Sequence, residues 1–197
     1  MELYIARHGE TEFNVQRRWQ GSGQDSPLTQ KGIRQAAELG TKLEGISFDA
    51  IYSSPLKRAM DTTRIAFKNE NLFENGAFTD SRLVEVGLGD AEGKTNEEML
   101  EKYQAFNFET LGNNPSAYIP PPKGEALTDM IARIDSFLQE LATKPYKRVF
   151  VLTHGYALRV VYACSQDKSL DAIAQAPFYD NCALLQYTFK GGKWNPA

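Results

Sequence analysis

The chain has 197 residues, 42% hydrophobic and 24% charged, with a formal net charge of −3 at pH 7. That length suits one domain with a normal core, and the slight acidity excludes the general basic character of a nucleic-acid binder. No apolar run approaches the ~18 residues of a membrane span, and no basic segment leading into a long apolar one opens the chain, so a soluble, cytoplasmic protein without membrane partners is the expectation.

Leu3-Tyr4-Ile5-Ala6 is a short run of strand formers that stops at Arg7-His8-Gly9. It predicts a buried strand with an arginine and a histidine at its carboxyl end, the end where open α/β sheets bind ligands. A polar loop, 12–26, comes next and carries Asn14, Arg17, Arg18, Gln20 and Gly21. Thr29 is placed to cap a helix whose stripe of Ile33, Ala36, Ala37, Leu39, Gly40 and Leu43 runs to Gly45. Gly32 and Gly40 either weaken that helix slightly or allow close packing. Phe48–Ser53 predicts a second strand. Ser54-Pro55 then predicts a helix start, serine as cap and proline at the first helical position. This places Arg58 in or next to a first turn whose dipole and free N–H groups favour an anion.

Residues 69–81 read as irregular with a short strand near Ala77-Phe78, and 82–93 as a glycine-rich loop. Residues 95–111 read as a helix, with Met99, Leu100, Tyr103 and Phe106 at helical spacing. Gly112 to Lys123, containing Pro120-Pro121-Pro122, reads as an extended connection. Residues 93–123 are expected to form a lid on a single domain, 1–197. Leu127, Ile131, Ile134, Leu138 and Leu141 mark an amphipathic helix ending before Pro145. Arg148–Thr153 is the third main strand and runs into His154-Gly155. Helices are expected from about Tyr156 and Ser169. Ala183–Phe189, Gly191-Gly192 and Lys193-Trp194 predict a terminal hairpin. This order predicts a three-layer α/β/α sandwich with a mostly parallel central sheet. The two cysteines, Cys164 and Cys182, form no CxxC and are expected as free buried thiols in a reducing compartment.

The chain has only two histidines, and each follows an apolar strand and precedes a glycine. Singly, such a histidine is more often structural, and Arg58 alone would be a surface helix residue. Together, Arg7, His8, Arg58 and His154 at one sheet edge describe a dianion site. Guanidinium forks match phosphate oxygens, a neutral imidazole nitrogen can attack phosphorus, and a second imidazole can balance developing charge. A departing alkoxide needs a proton, and Glu85 is the candidate donor. A metal reading is weaker: no third nitrogen or cysteine ligand stands nearby, and the arginines would repel a cation. Glu10 reads as a loop brace. Arg17, Arg18 and Arg82 are solvated charges or substrate contacts. Trp19, Tyr103, Phe106, Phe108 and Tyr118 either line a pocket under the lid or pack the lid to the body.

These residues resemble the histidine phosphatase superfamily, also called the phosphoglycerate mutase-like family. The blocks run in order: Arg7-His8-Gly9-Glu10-Thr11; Asn14; Arg18-Trp19-Gln20-Gly21; Asp25-Ser26-Pro27-Leu28-Thr29 with Gly32, Gln35 and Ala36. Tyr52-Ser53-Ser54-Pro55-Leu56, Arg58-Ala59 and Thr62 come next, then Leu83 and Glu85 with Gly89 and Glu92-Gly93, then Gly124-Glu125 and Thr153-His154-Gly155. The likeness spans roughly residues 3–190, far more specific than one motif. It implies a phosphoglycerate mutase-like fold with His8 as phosphoryl acceptor. Arg7, Arg58 and His154 would form the phosphate pocket, assisted by Asn14, Gln20 and the Gly155 backbone, with Glu85 as acid and then base. It implies no metal and no organic cofactor. A small phosphate ester is the expected partner, and the sequence leaves the oligomeric state open, a homodimer included. The chain departs by one residue inserted near Ser22-Gly23, by Ala91 where many members have an aromatic, and by Ala126 where many have serine. The modest insertion and an end at Ala197 soon after the last predicted strand favour the phosphatase branch over a mutase. A non-catalytic paralogue would be expected to lack His8, Glu85 or His154.

Overall fold

A computed structural model describes residues 1–102 and 108–197. Tyr103, Phe106 and the Phe108 side chain, expected as lid aromatics, lie outside the described residues. The strands are β1 (Glu2–Arg7), β2 (Ala50–Ser53), β3 (Phe78–Thr79), β4 (Arg148–Thr153), β5 (Leu184–Lys190) and β6 (Lys193–Pro196). They form one sheet in the order β3-β2-β4-β1-β5-β6. The first four are parallel, and β5 and β6 are antiparallel. The helices are α1 (Glu12–Val15), α2 (Gln30–Leu43), α3 (Lys57–Ala66), α4 (Asn96–Lys102), α5 (Phe108–Asn113), α6 (Leu127–Ala142), α7 (Gly155–Ser165) and α8 (Leu170–Gln175).

Strand alternation sends side chains to two faces. Leu3, Ile5, Val149 and Val151 pack with residues of α6 and α7, including Ile134, Leu138, Leu158 and Val161. Ala6, Phe150 and Leu152 pack with Ala36, Leu39 and Leu43 of α2 and Ala59 and Ala66 of α3. The three layers are therefore realised, with central strands buried on both faces. Met99 and Leu111, from the proposed lid, are buried in the α6/α7 cluster.

Thr29 caps α2, its hydroxyl accepting from the Gly32 N–H. The glycines of α2 serve close packing. A methyl group on Gly32 would lie 2.1 Å from the Glu10 carbonyl oxygen, and one on Gly40 would lie 2.3 Å from that of Ala66. Ile33 and Ala37 face solvent, so the buried stripe is Gly32, Ala36, Leu39, Gly40 and Leu43. The Ser54-Pro55 expectation is corrected: α3 starts at Lys57 with Leu56 as cap and no side-chain cap bond, and the Ser54 hydroxyl, which accepts a long bond from the Leu56 N–H at 3.4 Å, also meets His154 Nε2 at 2.7 Å. The helix expected over 95–111 is described as α4 and α5. Ala126 caps α6 without a side-chain bond, as the missing serine implies. At the hairpin, Gly191 and Gly192 both have positive φ, 63° and 77°, which a two-residue turn of this hand requires. Cys164 and Cys182 are free and buried. Among the described residues no helix is long and apolar enough to cross a membrane.

Candidate active site

β2, β4 and β1 are adjacent, and their registers end almost level. Arg7 pairs with Thr153, and Ser53 with Leu152. The next residue of each strand is therefore brought to one edge: Ser54, His154 and His8. The imidazole centroids of His8 and His154 are 5.2 Å apart, although 145 residues separate them in sequence (154 − 8 − 1).

The tautomer of His8 is set by its partner. Its Nδ1 lies 2.7 Å from the Gly9 carbonyl oxygen, which can only accept, so Nδ1 carries the proton and Nε2 keeps a lone pair. Burial pushes the His8 pKa well below its ordinary value, and the nearby charges of Arg58 and Arg7 push the same way. The ring is therefore held neutral at pH 7. His154 is fully buried, with Nε2 2.7 Å from the Ser54 hydroxyl. Burial, then Arg58, His8 and Arg7, also hold its pKa well below the ordinary range.

Arg7 Nη1 donates to the Tyr179 carbonyl at 2.6 Å, and its guanidinium packs on Gly155, where a methyl group would lie 3.1 Å from Arg7 Nε. A side chain at Gly155 would press on the arginine, which would have to give by a few tenths of an ångström. Arg58, 1% exposed, is held by loop 12–26. Its Nη1 meets Asp25 Oδ1 at 2.9 Å, and its Nη2 meets the Gly21 carbonyl at 2.9 Å. Asp25 also accepts from the Arg58 backbone N–H, so its carboxylate sits at the α3 amino terminus. Arg7 Nε, Arg58 Nε and His154 Nδ1 are buried without a partner among the described residues. Each such donor costs about 1–3 kcal/mol unless a ligand brings acceptors, and a tetrahedral oxyanion brings them.

Glu85 is buried, and its carboxylate accepts from three backbone N–H groups: Tyr156 at 3.0 Å, Ala157 at 3.2 Å and Val86 at 3.0 Å. It thereby caps α7, which begins at the second histidine. Its loop is clamped by Arg133, which donates to the Val84 and Glu85 carbonyls and to both Glu125 oxygens.

A cavity of about 480 Å3 opens over this edge, lined by Arg7, His8, Asn14, Arg17, Arg18, Trp19, Gln20, Glu85, Gly155, Tyr156, Arg159 and Phe178, among others. Asn14 accepts from the Thr11 N–H and the Asn181 amide. Gln20 is tied at both ends, to the Thr11 hydroxyl and to Ser26 and Asp25. Arg18 pairs with Glu98, and Arg17 is exposed at the mouth. Arg82 is outside the cavity, paired with Asp80 and Glu140. Glu10 braces the α2 start through Thr29 and Lys31. Trp19 is in the wall, while Tyr118 packs against the core.

Sequence reasoning gave no site role to four residues. Asp25 fixes Arg58, and Thr62 bridges the Gly9 N–H to the Arg58 carbonyl. Arg133 fixes the Glu85 loop, and Ser54 holds His154. Asp25, Ser54 and Thr62 stood inside the matching blocks, a usable signal. Arg133 carried none beyond its helical position.

The chain matches the profile of the histidine phosphatase superfamily (branch 1) over residues 3–197. It is 30% identical over 196 residues to a Proteus mirabilis protein described as "Probable phosphoglycerate mutase GpmB", covering 98% of this chain and 87% of that one. Among solved structures, YhfR of Bacillus stearothermophilus superposes with a TM-score of 0.88 at 34% identity, covering 100% of this chain and 95% of that one. The alpha-ribazole phosphatase of Shigella flexneri gives 0.85 at 25% identity, with 100% and 95% covered.

Proposed function

The chain belongs to the histidine phosphatase superfamily, a phosphoryl-transfer family, and on that premise we propose that it hydrolyses small phosphomonoesters through a phosphohistidine at His8. The observation that carries this reading is the His8 ring: buried, neutral, and held with Nε2 bearing the lone pair beside His154.

The substrate phosphate sits among Arg7, Arg58 and His154, with the Gly155 N–H at the α7 amino terminus and Asn14 beside it. His8 Nε2 attacks phosphorus and an N–P bond forms. The P–O bond to the alcohol breaks, and a protonated Glu85 gives its proton to the leaving oxygen. Glu85, now a carboxylate, takes a proton from water. The hydroxide oxygen bonds to phosphorus, the N–P bond breaks, and phosphate leaves with His8 neutral again. Arg7 and Arg58 supply the charge balance, so the scheme calls for no metal.

A mutase would run the same first half and return the phosphoryl group to a second hydroxyl, as the Proteus relative's description suggests for that protein. Hydrolysis is the reading we favour because two residues of the cavity lining, Arg17 and Phe178, are exposed to solvent, and a mutase must keep water from its phosphoenzyme. The Shigella structure is described as a phosphatase. The test is a panel of phosphate esters assayed for free phosphate and for isomerised ester, with trapping of an acid-labile phosphoenzyme. Free phosphate plus a phosphoenzyme that His8→Ala cannot form is the expected result. Isomerised ester alone, or turnover without a phosphoenzyme, overturns it.

A further inference from the structure

The stretch ahead of β5, 179–183, has no part in the chemistry above, yet it holds the end of β1 at four points. The Tyr179 carbonyl accepts from Arg7 Nη1, and the Ala183 carbonyl from the Arg7 backbone N–H. The Cys182 N–H and the Asn181 side-chain amide both donate to the His8 carbonyl, at 3.2 and 3.1 Å. Cys182 has φ 56°, left-handed backbone that a residue with a Cβ adopts only at a cost. It is at this turn that two consecutive residues meet one carbonyl oxygen.

Asn181 also reaches a second group. Its Nδ2 lies 3.3 Å from Asn14 Oδ1. The polarity of that contact is fixed at both ends. The Thr11 backbone N–H only donates, and it meets Asn14 Oδ1 at 3.1 Å, so that position must be the oxygen. The His8 carbonyl only accepts, so the Asn181 atom facing it must be the nitrogen. The two hydrogens of Asn181 Nδ2 are thereby matched to two acceptors, and the two lone pairs of Asn14 Oδ1 to two donors. With Oδ1 saturated, Nδ2 is the atom of Asn14 left for the cavity that its side chain lines with Arg7 and His8. A flipped Asn14 amide would instead turn an oxygen toward the anion, which repels it. Asn181 is not among the residues lining the cavity.

Building on the proposed hydrolysis, we infer that Asn181 is a positioning residue that ties the backbone of the nucleophile to the Asn14 side chain and holds the Asn14 N–H groups toward the substrate phosphate. It touches neither the phosphate nor the reacting atoms, and it acts through Asn14 and His8.

A double-mutant cycle tests this, with two readings: kcat/KM for 4-nitrophenyl phosphate, and affinity for orthovanadate, a five-coordinate analogue of the transferring phosphoryl group. Asn181→Ala is expected to cost about tenfold or more in both, the effect of one hydrogen bond to a charged group. In an Asn14→Ala background the same change is expected to cost about threefold or less, since the amide that it orients is gone. Equal losses in the two backgrounds overturn the inference, because a residue that merely supports the loop costs the same with or without Asn14. Wild-type values of both readings in Asn181→Ala overturn it as well. Asn181→Ser keeps one donor hydrogen and carries the same comparison if the alanine variant does not fold. In the wild-type protein both Asn181 side-chain amide protons should exchange with solvent more slowly than those of a free amide, as read by NMR. Exchange at the free rate sinks the assignment whether or not any variant folds. If the wild type binds vanadate but turns over no ester, the proposed hydrolysis fails and the vanadate cycle alone decides the role of Asn181. If it binds no vanadate either, the phosphate site falls and this inference with it.

Discussion

At the carboxyl end of β1, His8 gives its Nδ1 proton to the Gly9 carbonyl. At the end of the neighbouring β4, His154 uses Nε2 for the Ser54 hydroxyl and leaves Nδ1 without a partner among the described residues. The local sequences are alike, an apolar strand, a histidine and a glycine, but opposite ring nitrogens are engaged. A backbone acceptor fixes a tautomer outright. A hydroxyl can donate or accept, so it tolerates a change of protonation at its histidine. The first arrangement suits a nucleophile that must stay neutral, and the second suits a group that stabilises charge as it appears. The two ends also lead into different structures. β4 runs straight into α7, whose first turn is capped by Glu85, while β1 runs into a turn pinned by Thr62 and packed on Gly32.

The strongest way to break this comparison is to exchange the roles. His8→Ala should lower phosphate release by at least about 10^4-fold, with a melting temperature close to wild type. Substantial turnover in a pure sample would remove His8 as nucleophile. Glu85→Gln should cost about 10^2-fold or more for alkyl phosphates and much less for 4-nitrophenyl phosphate, whose leaving group needs no proton. Equal losses would leave Glu85 as a helix cap only. The cap itself should register as a stability loss of about 1 kcal/mol in denaturant unfolding. Ser54→Ala should cost about tenfold in kcat by freeing the His154 ring, and an unaffected kcat would show that the hydroxyl does not orient it.

The pH dependence of stability treats both ends alike. Each imidazole has a folded pKa well below its ordinary 6.5, so below that value the unfolded chain binds protons that the native protein refuses. Stability is therefore full above about pH 7 and is lost as pH falls through 6.5, by up to about 1.4 kcal/mol per histidine per pH unit. Urea midpoints between pH 7.5 and 5.5 measure this. His8→Ala should remove roughly half of the slope, and an unchanged slope would assign it to other groups.

Most elements were legible because their signals are local. The β4 limits come from an unbroken apolar run between Arg148 and Thr153, and the α2 cap from Thr29. Ser54-Pro55 misled for a physical reason. A serine before a proline is a sound helix start on local grounds, but here the shorter contact of its hydroxyl is to a histidine 100 residues away, at 2.7 Å against 3.4 Å for the Leu56 N–H. Ile33 and Ala37 fit a helical period but turned outward, because the β1 turn drew Gly32 and Ala36 inward.

Read alone, the sequence determined the strand ends, the residue types gathered there and the family that they mark, since each of these is encoded within a few neighbouring positions. Which nitrogen of His154 is engaged, which carboxylate steadies Arg58, what the Glu85 carboxylate touches and which amide faces the Asn14 side chain were decided only by the tertiary structure. Each of these depends on a hydrogen bond or ion pair between segments distant in the chain, and no local pattern specifies such a pairing.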